Sequence, residues 1–188
     1  MKDKLRKELI ETRKRLQKKE VLEKSKQIKK RLFEMKEFKQ ASTILFYVSY
    51  DNEVYTHDMI TESLSNRKNV LVPITDTKKH CLIISKLKRW EDLEHSNYSI
   101  LEPKKDCVHE VSLANIDIIL VPGVVFDESG NRIGHGYGYY DSLLRNSKKA
   151  LHIGLAFEIQ IVKKILTEKR DVPVDKIVTE KRIIECSK

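Results

Sequence analysis

The chain has 188 residues, 40% of them hydrophobic and 35% charged, with a formal net charge of +9. That length is enough to bury a real core and sets a single domain over 1–188 as the expectation. No apolar run approaches the ~20 residues that a membrane span needs, which excludes a spanning helix, and no membrane partner is expected. Positive charge at residues 1–6 precedes no apolar block, so no secretory signal is expected and the cytoplasm is the expected location. The excess charge is local: residues 1–40 hold 16 Lys and Arg against 7 Asp and Glu, and residues 41–188 hold 21 of each. A basic helical segment, 1–40, is therefore expected ahead of an α/β body, 41–188, with no broad nucleic-acid surface on the latter. Three cysteines and six histidines are scattered, without the spacing of a disulfide framework or a zinc motif.

In chain order, Leu5, Leu9 and Leu16 mark an amphipathic helix over 4–17, and Leu22, Ile28, Leu32, Phe33 and Met35 a second over 20–37. No heptad is sustained, so the pair is expected to pack on a sheet rather than form a coiled coil. Lys2 and Arg6, four apart, share one helix face and can project to a common anion. Residues 43–48 read as a buried strand, and Val54, Met59, Ile60 and Leu64 fall at helical spacing after Glu53. Strands follow at 69–73 and 80–85, then a polar, irregular stretch over 86–110. Residues 116–121 form a continuous apolar strand, 151–157 another, and 158–166 a helix. A last strand is expected at 177–178 or 182–184. Apolar strands alternating with helices give an α/β fold: a mostly parallel open sheet with helices on both faces, Rossmann-like in its layering.

The protein has only six glycines, and Gly130, Gly134, Gly136 and Gly138 fall within nine residues. They lie between an apolar strand and a helical run, Tyr139-Tyr140-Asp141-Ser142-Leu143-Leu144-Arg145. A glycine loop opening a helix offers unpaired N–H groups and the positive end of a helix dipole, which suits phosphate. The spacing matches neither G-x-G-x-x-G nor G-x-x-x-x-G-K-[ST], so a tight structural turn is the competing reading. Asp141 is either a helix-dipole partner or a magnesium ligand, since Mg²⁺ takes one or two carboxylates beside substrate phosphates. Arg132 is placed to clamp a phosphate or to be an ordinary exposed arginine. Tyr137, Tyr139 and Tyr140 can stack on a planar ligand or fill core. From these residues alone, the expectation is an α/β protein that binds a phosphorylated small molecule with Mg²⁺. A non-catalytic nucleotide- or RNA-binding module using the basic N-terminal helix is the alternative.

The run Pro122-Gly123-Val124-Val125-Phe126-Asp127, then Gly130-Asn131-Arg132-Ile133-Gly134, then Gly136, Gly138 and Tyr139-Tyr140-Asp141, resembles the signature of the 5-formyltetrahydrofolate cyclo-ligase (5,10-methenyltetrahydrofolate synthetase) family. Flanking segments fall in the matching order: Lys2-Asp3-Lys4-Leu5-Arg6, Asn52-Glu53-Val54-Tyr55-Thr56, the 98–103 segment ending in Glu102-Pro103, and Asp171-Val172-Pro173-Val174-Asp175. The resemblance implies an ATP- and Mg²⁺-dependent ligase that converts 5-formyltetrahydrofolate to 5,10-methenyltetrahydrofolate with release of ADP and phosphate; a monomer is expected, although the sequence does not fix the oligomeric state.

By the same resemblance, ATP contacts Lys2, Asp3, Lys4, Leu5 and Arg6, together with the loop from Arg132 through Ile133, Gly134, His135, Gly136, Tyr137, Gly138 and Tyr139 to Tyr140. Arg132 and Lys2 are the expected catalytic cations. Folate meets Val48, Glu53 and Tyr98 and the loop from His135 to Tyr139. Asp141 and Asp171 are the expected Mg²⁺ ligands. The chain departs from some relatives at His135 and Tyr137, where they carry Arg and Lys, and at Ser142, where a basic residue is common.

Overall fold

A computed structural model describes residues 2–96 and 100–186. Helix α1 (Lys2–Lys14) has Asp3 in its first turn and Arg13 and Lys14 in its last, signs that complement the helix dipole. Helix α2 (Lys18–Glu34) buries Val21, Ser25, Ile28 and Leu32, one stripe at helical spacing. It stops at Met35, whose backbone is extended, and the short α3 (Lys36–Gln40) follows.

The body holds a seven-stranded sheet built from β1 (Thr43–Leu45), β2 (Asn69–Asp76), β3 (Cys81–Leu87), β6 (Ile118–Val121), β9 (Leu151–Leu155), β11 (Lys176–Val178) and β12 (Ile183–Glu185). Its order is β12-β11-β9-β6-β1-β2-β3. The five inner strands pair in parallel, and β3 and β12 close the edges antiparallel. Residue parity divides the core between the two faces. Ile118 and Leu120 of β6 join the cluster under α2, α3 and α4 (His57–Ser65), whereas Ile119 and Val121 join the one under α5 (Tyr139–Asn146). Both faces are covered, as a parallel sheet with continuous apolar strands requires.

A three-stranded sheet of β7 (Val125–Asp127), β8 (Arg132–Ile133) and β10 (Ile161–Val162) carries the glycine loop. Here α1 docks, with Leu9 packed among Val124, Val125, Ile133 and Ile165, while α2 lies on the large sheet. The helix expected over 158–166 does not form. A single 3-10 turn, Glu158–Gln160, gives way to β10. The reason is Gln160: its buried amide donates to Gly123 O (2.9 Å) and Val124 O (3.0 Å) and accepts from Phe157 N (2.8 Å), fixing the turn and presenting Ile161 to β7. The stretch read as irregular contains a small hairpin, β4 (Leu93–His95) with β5 (Leu101–Pro103). Both candidate terminal segments are strands, paired antiparallel as β11 and β12. Among the described residues no helix is long and apolar enough to cross a membrane.

The strand order reverses between β1 and β6, because the chain leaves β1 for β2 on one side and returns to β6 on the other. A crevice opens there beyond the carboxyl ends, the usual ligand position in such sheets. Phe126, fully buried, braces the floor: a Cβ at Gly123 or Gly154 would lie 2.5 or 2.7 Å from its ring. Phe126→Ala is expected to cost about 3–5 kcal/mol in urea unfolding; a change below about 1 kcal/mol would show that the ring is not a packing element.

Candidate active site

The crevice is a cavity of about 880 Å³, a size that suits a cofactor-sized ligand. The loop that forms one wall is held by Asp127. Its carboxylate accepts from Ser129 N, Asn131 N and Ile165 N at 3.0, 3.0 and 2.8 Å, turning β7 back into β8. Gly136 and Gly138 adopt φ of 103° and 73°, angles an L-residue rarely takes, and Gly138 is the N-cap of α5. No neighbour lies within 4 Å of a Cβ placed at Gly138, so the demand there is torsional rather than steric.

Arg132, on β8, is buried, and its Nη2 lies 3.1 Å from Asp141 Oδ1. This is an ion pair by distance only. The alignment makes no hydrogen bond, so Nε and Nη2 are both buried without a hydrogen-bond partner. Desolvation by burial lowers the guanidinium pKa, opposed first by Asp141. Its Cζ also sits 5.7 Å from the Tyr140 ring centroid, within cation–π range. Arg132 lines the cavity, but Nε and Nη2 have no accessible surface of their own, so an acceptor reaches them only when the side chain or loop shifts; a phosphate oxygen is well suited to that role.

Asp141 and Asp171 come together although 30 positions separate them in sequence. Val172 N donates to Asp141 Oδ1 (3.3 Å), which brings the 170–172 loop against α5. Asp171 Oδ2 accepts from Lys2 Nζ at 2.6 Å and from Glu168 N at 2.8 Å. Partial burial would raise the Asp171 pKa, but the Lys2 hydrogen bond and the Glu168 N–H outweigh it, and the carboxyl lies below its ordinary value. Among the described residues no protein hydrogen bond reaches Asp141 Oδ2 or Asp171 Oδ1. Either oxygen could take part in holding Mg²⁺, which takes one or two carboxylates beside substrate phosphates. Arg6 completes this end, its Nε donating to Gly134 O at 2.8 Å and its Nη1 pairing with Asp3.

The folate expectations fall in the same cavity. Val48 and Glu53 line it, Glu53 almost wholly buried. Glu53 Oε2 accepts from Tyr50 N (3.3 Å), and Oε1 lies 3.7 Å from His135 Nε2. His135 Nε2 is also 3.3 Å from the Tyr50 hydroxyl, so the position occupied by Arg in some relatives here faces the turn after β1. Burial, then the Glu53 charge, pushes the Tyr50 phenol up to about 12, and the same two causes raise Tyr140. Tyr137 is 78% exposed and stacks on Tyr139 at 5.9 Å, at the mouth.

Not every expected residue reaches this cavity. Asp3, Lys4 and Leu5 are absent from its lining, whereas Lys4 and Leu5 border a separate pocket of about 280 Å³ with Glu8, Ile133 and Lys164. Ile133 borders both, its side chain buried against Leu9 and Val124. Tyr98 lies outside the described residues. Sequence reasoning missed Tyr47, Thr75, Glu102 and Arg170, all in the lining. Glu102 Oε1 accepts from Thr75 N (2.9 Å), a contact between two hairpins that no local pattern announces.

Comparison with known proteins identifies the family. A model of the 5-formyltetrahydrofolate cyclo-ligase family matches residues 1–180. The 5-formyltetrahydrofolate cyclo-ligase of Haemophilus influenzae is 35% identical over 141 residues, 73% of this chain and 75% of that protein. The Escherichia coli K12 protein of that name is 30% identical, over 77% of this chain and 81% of its own. The NMR structure of Aquifex aeolicus 5,10-methenyltetrahydrofolate synthetase superposes with a TM-score of 0.87 at 29% identity, covering 100% of this chain and 93% of the other.

Arg132→Met relieves the desolvated guanidinium but leaves Asp141, about a quarter exposed, without its cation, so the two effects are expected to offset to within about 1 kcal/mol in urea unfolding. A loss of more than about 3 kcal/mol would mean that Arg132 is a fully paired structural group. The family model over residues 1–180 and the relative at 35% identity give one assignment: the chain belongs to the 5-formyltetrahydrofolate cyclo-ligase family of ATP-dependent ligases.

Proposed function

We propose that this cavity converts 5-formyltetrahydrofolate to 5,10-methenyltetrahydrofolate at the expense of ATP, with Mg²⁺ held by Asp141, Asp171 and the nucleotide phosphates. The observation that carries the reading is the buried Arg132, which lines the cavity beside Lys2, Asp141 and Asp171 and has two donors that make no hydrogen bond. Five cationic side chains line the cavity, Lys2, Arg6, Arg132, Arg145 and Arg170, and a triphosphate is the ligand chemistry that calls for them.

The chemistry follows from the substrate. A formamide oxygen is a poor leaving group. Its attack on the γ-phosphorus breaks the bond to ADP and gives an iminium phosphate. The N10 lone pair then adds to the formyl carbon, N10 loses its proton, and the C–O bond breaks to release phosphate. Bound Mg²⁺ supplies charge neutralisation between phosphate oxygens. The protein's part is positioning and electrostatics. Arg132 donates to the transferring phosphoryl, and its burial makes those bonds stronger than they would be in water. Lys2 exchanges Asp171 for a phosphate oxygen, and Arg6 orders the loop through Gly134. Glu53 accepts from the N–H edge of the pterin, with Val48 and Tyr50 as the adjoining wall. The loop from His135 to Tyr139 lies between the two substrates. The free protein is expected to act as a monomer in the cytoplasm.

The direct test follows the absorbance of methenyltetrahydrofolate formed from 5-formyltetrahydrofolate with and without ATP. ATP-dependent appearance is expected, and its absence with folded protein rejects the reading. Asp141→Asn is expected to lower turnover at least ~10-fold and raise the Mg²⁺ requirement. An unchanged Mg²⁺ dependence would remove Asp141 from the metal site.

A further inference from the structure

Asn52 sits in the turn between β1 and α4 and reaches away from the cavity. Its Nδ2 lies 3.1 Å from Arg13 O, 3.4 Å from Lys14 O and 3.1 Å from Leu16 O. These are carbonyls at and just beyond the C-terminus of α1, which the helix itself leaves short of donors. The next residue, Glu53, points the other way, into the cavity, with Oε1 facing His135 of the glycine loop. One two-residue step therefore joins the end of α1 to the carboxylate on the folate side.

The opposite half of α1 is fastened to the nucleotide side. Arg6 Nε donates to Gly134 O at 2.8 Å, and Lys2 Nζ bridges Asp171 and Glu168 at 2.6 and 3.1 Å. Between these fastenings α1 is a rigid rod, and a rise of about 1.5 Å per residue puts Arg6 and Arg13 roughly 10 Å apart. Arg13 is itself 2% exposed, and its charge is felt by both Tyr47 and Tyr50 on the cavity wall. The C-terminal end of α1 is thus seated against the folate side and its N-terminal end against the nucleotide side.

We infer that Asn52 is a positioning residue: by holding the C-terminus of α1 it fixes Lys2 and Arg6 relative to Glu53 and makes the two substrates bind cooperatively. The inference rests on the substrate assignment above. A triphosphate that draws in Lys2 and Arg6 moves α1 as a body, and Asn52 passes that displacement to the turn bearing Glu53. By linkage, folate seated on Glu53 must favour the nucleotide by the same factor.

The test is the affinity of a non-hydrolysable ATP analogue, measured with and without 5-formyltetrahydrofolate, in wild type, Asn52→Ala and Asn52→Gln. Wild type is expected to bind the analogue about fivefold or more tightly when folate is present. In Asn52→Ala the loss of hydrogen bonds at α1 is expected to weaken the analogue about tenfold and bring the folate effect close to one. Asn52→Gln, which keeps an amide donor, should recover part of both. Amide exchange in α1 should quicken in Asn52→Ala without ligand. A lower urea midpoint with an unchanged folate effect would make Asn52 merely structural and overturn the inference, as would unchanged exchange in α1. If wild type binds neither ligand, the substrate assignment falls and the coupling with it, a result separable from failure of Asn52 alone.

Discussion

A guanidinium taken out of water without its full set of acceptors is the constraint around which this molecule is arranged. Three neighbours surround Arg132: β8 carries it, α5 places Asp141 beside it, and Tyr140 lies across it. Such a group is costly in the free protein and becomes favourable only when an anion arrives. The sheet supplies the setting. Reversal of strand order between β1 and β6 opens the crevice, and Phe126 joins the large sheet to the small one that carries the loop.

The basic N-terminus has two separate physical roles. Lys2 and Arg6 are drawn to the cavity, where they meet Asp171 and Gly134. Further along, Lys24 pairs with Glu20 and Glu180, and Lys29 with Glu62, so those charges hold α2 and its neighbours together. The excess of positive charge over residues 1–40 therefore does not describe one uniform binding surface. It divides between a site and a scaffold.

How much was legible in the sequence depended on the range of the interaction. The apolar runs of β6 and β9 and the stripe of α2 are local patterns, and the glycine spacing marked a loop with left-handed backbone angles at Gly136 and Gly138. The helix expected over 158–166 failed because Gln160 is captured by the carbonyls of Gly123 and Val124, more than thirty residues upstream, a contact that periodicity does not carry. Asp141 was a candidate metal ligand from its place after the glycine loop, whereas Asp171 could be named only through family resemblance; their meeting depends on Val172 N finding Asp141. Thr75 and Glu102 reach the cavity by a contact between hairpins, which the polar segment around them concealed. Asn52 was visible beside Glu53, but its hold on α1 is a tertiary fact.

If Arg132 is the anchor of a triphosphate site, its value lies in hydrogen bonds that form only with ligand. The decisive measurement is calorimetric titration of Mg-ATP into wild type and Arg132→Met, at a temperature where both are folded. Hydrogen bonds to a charged group contribute about 1.5–3 kcal/mol, so the variant should bind roughly 10- to 150-fold more weakly. Equal affinity in the two proteins would contradict the assignment of Arg132, and with it the physical basis of the site.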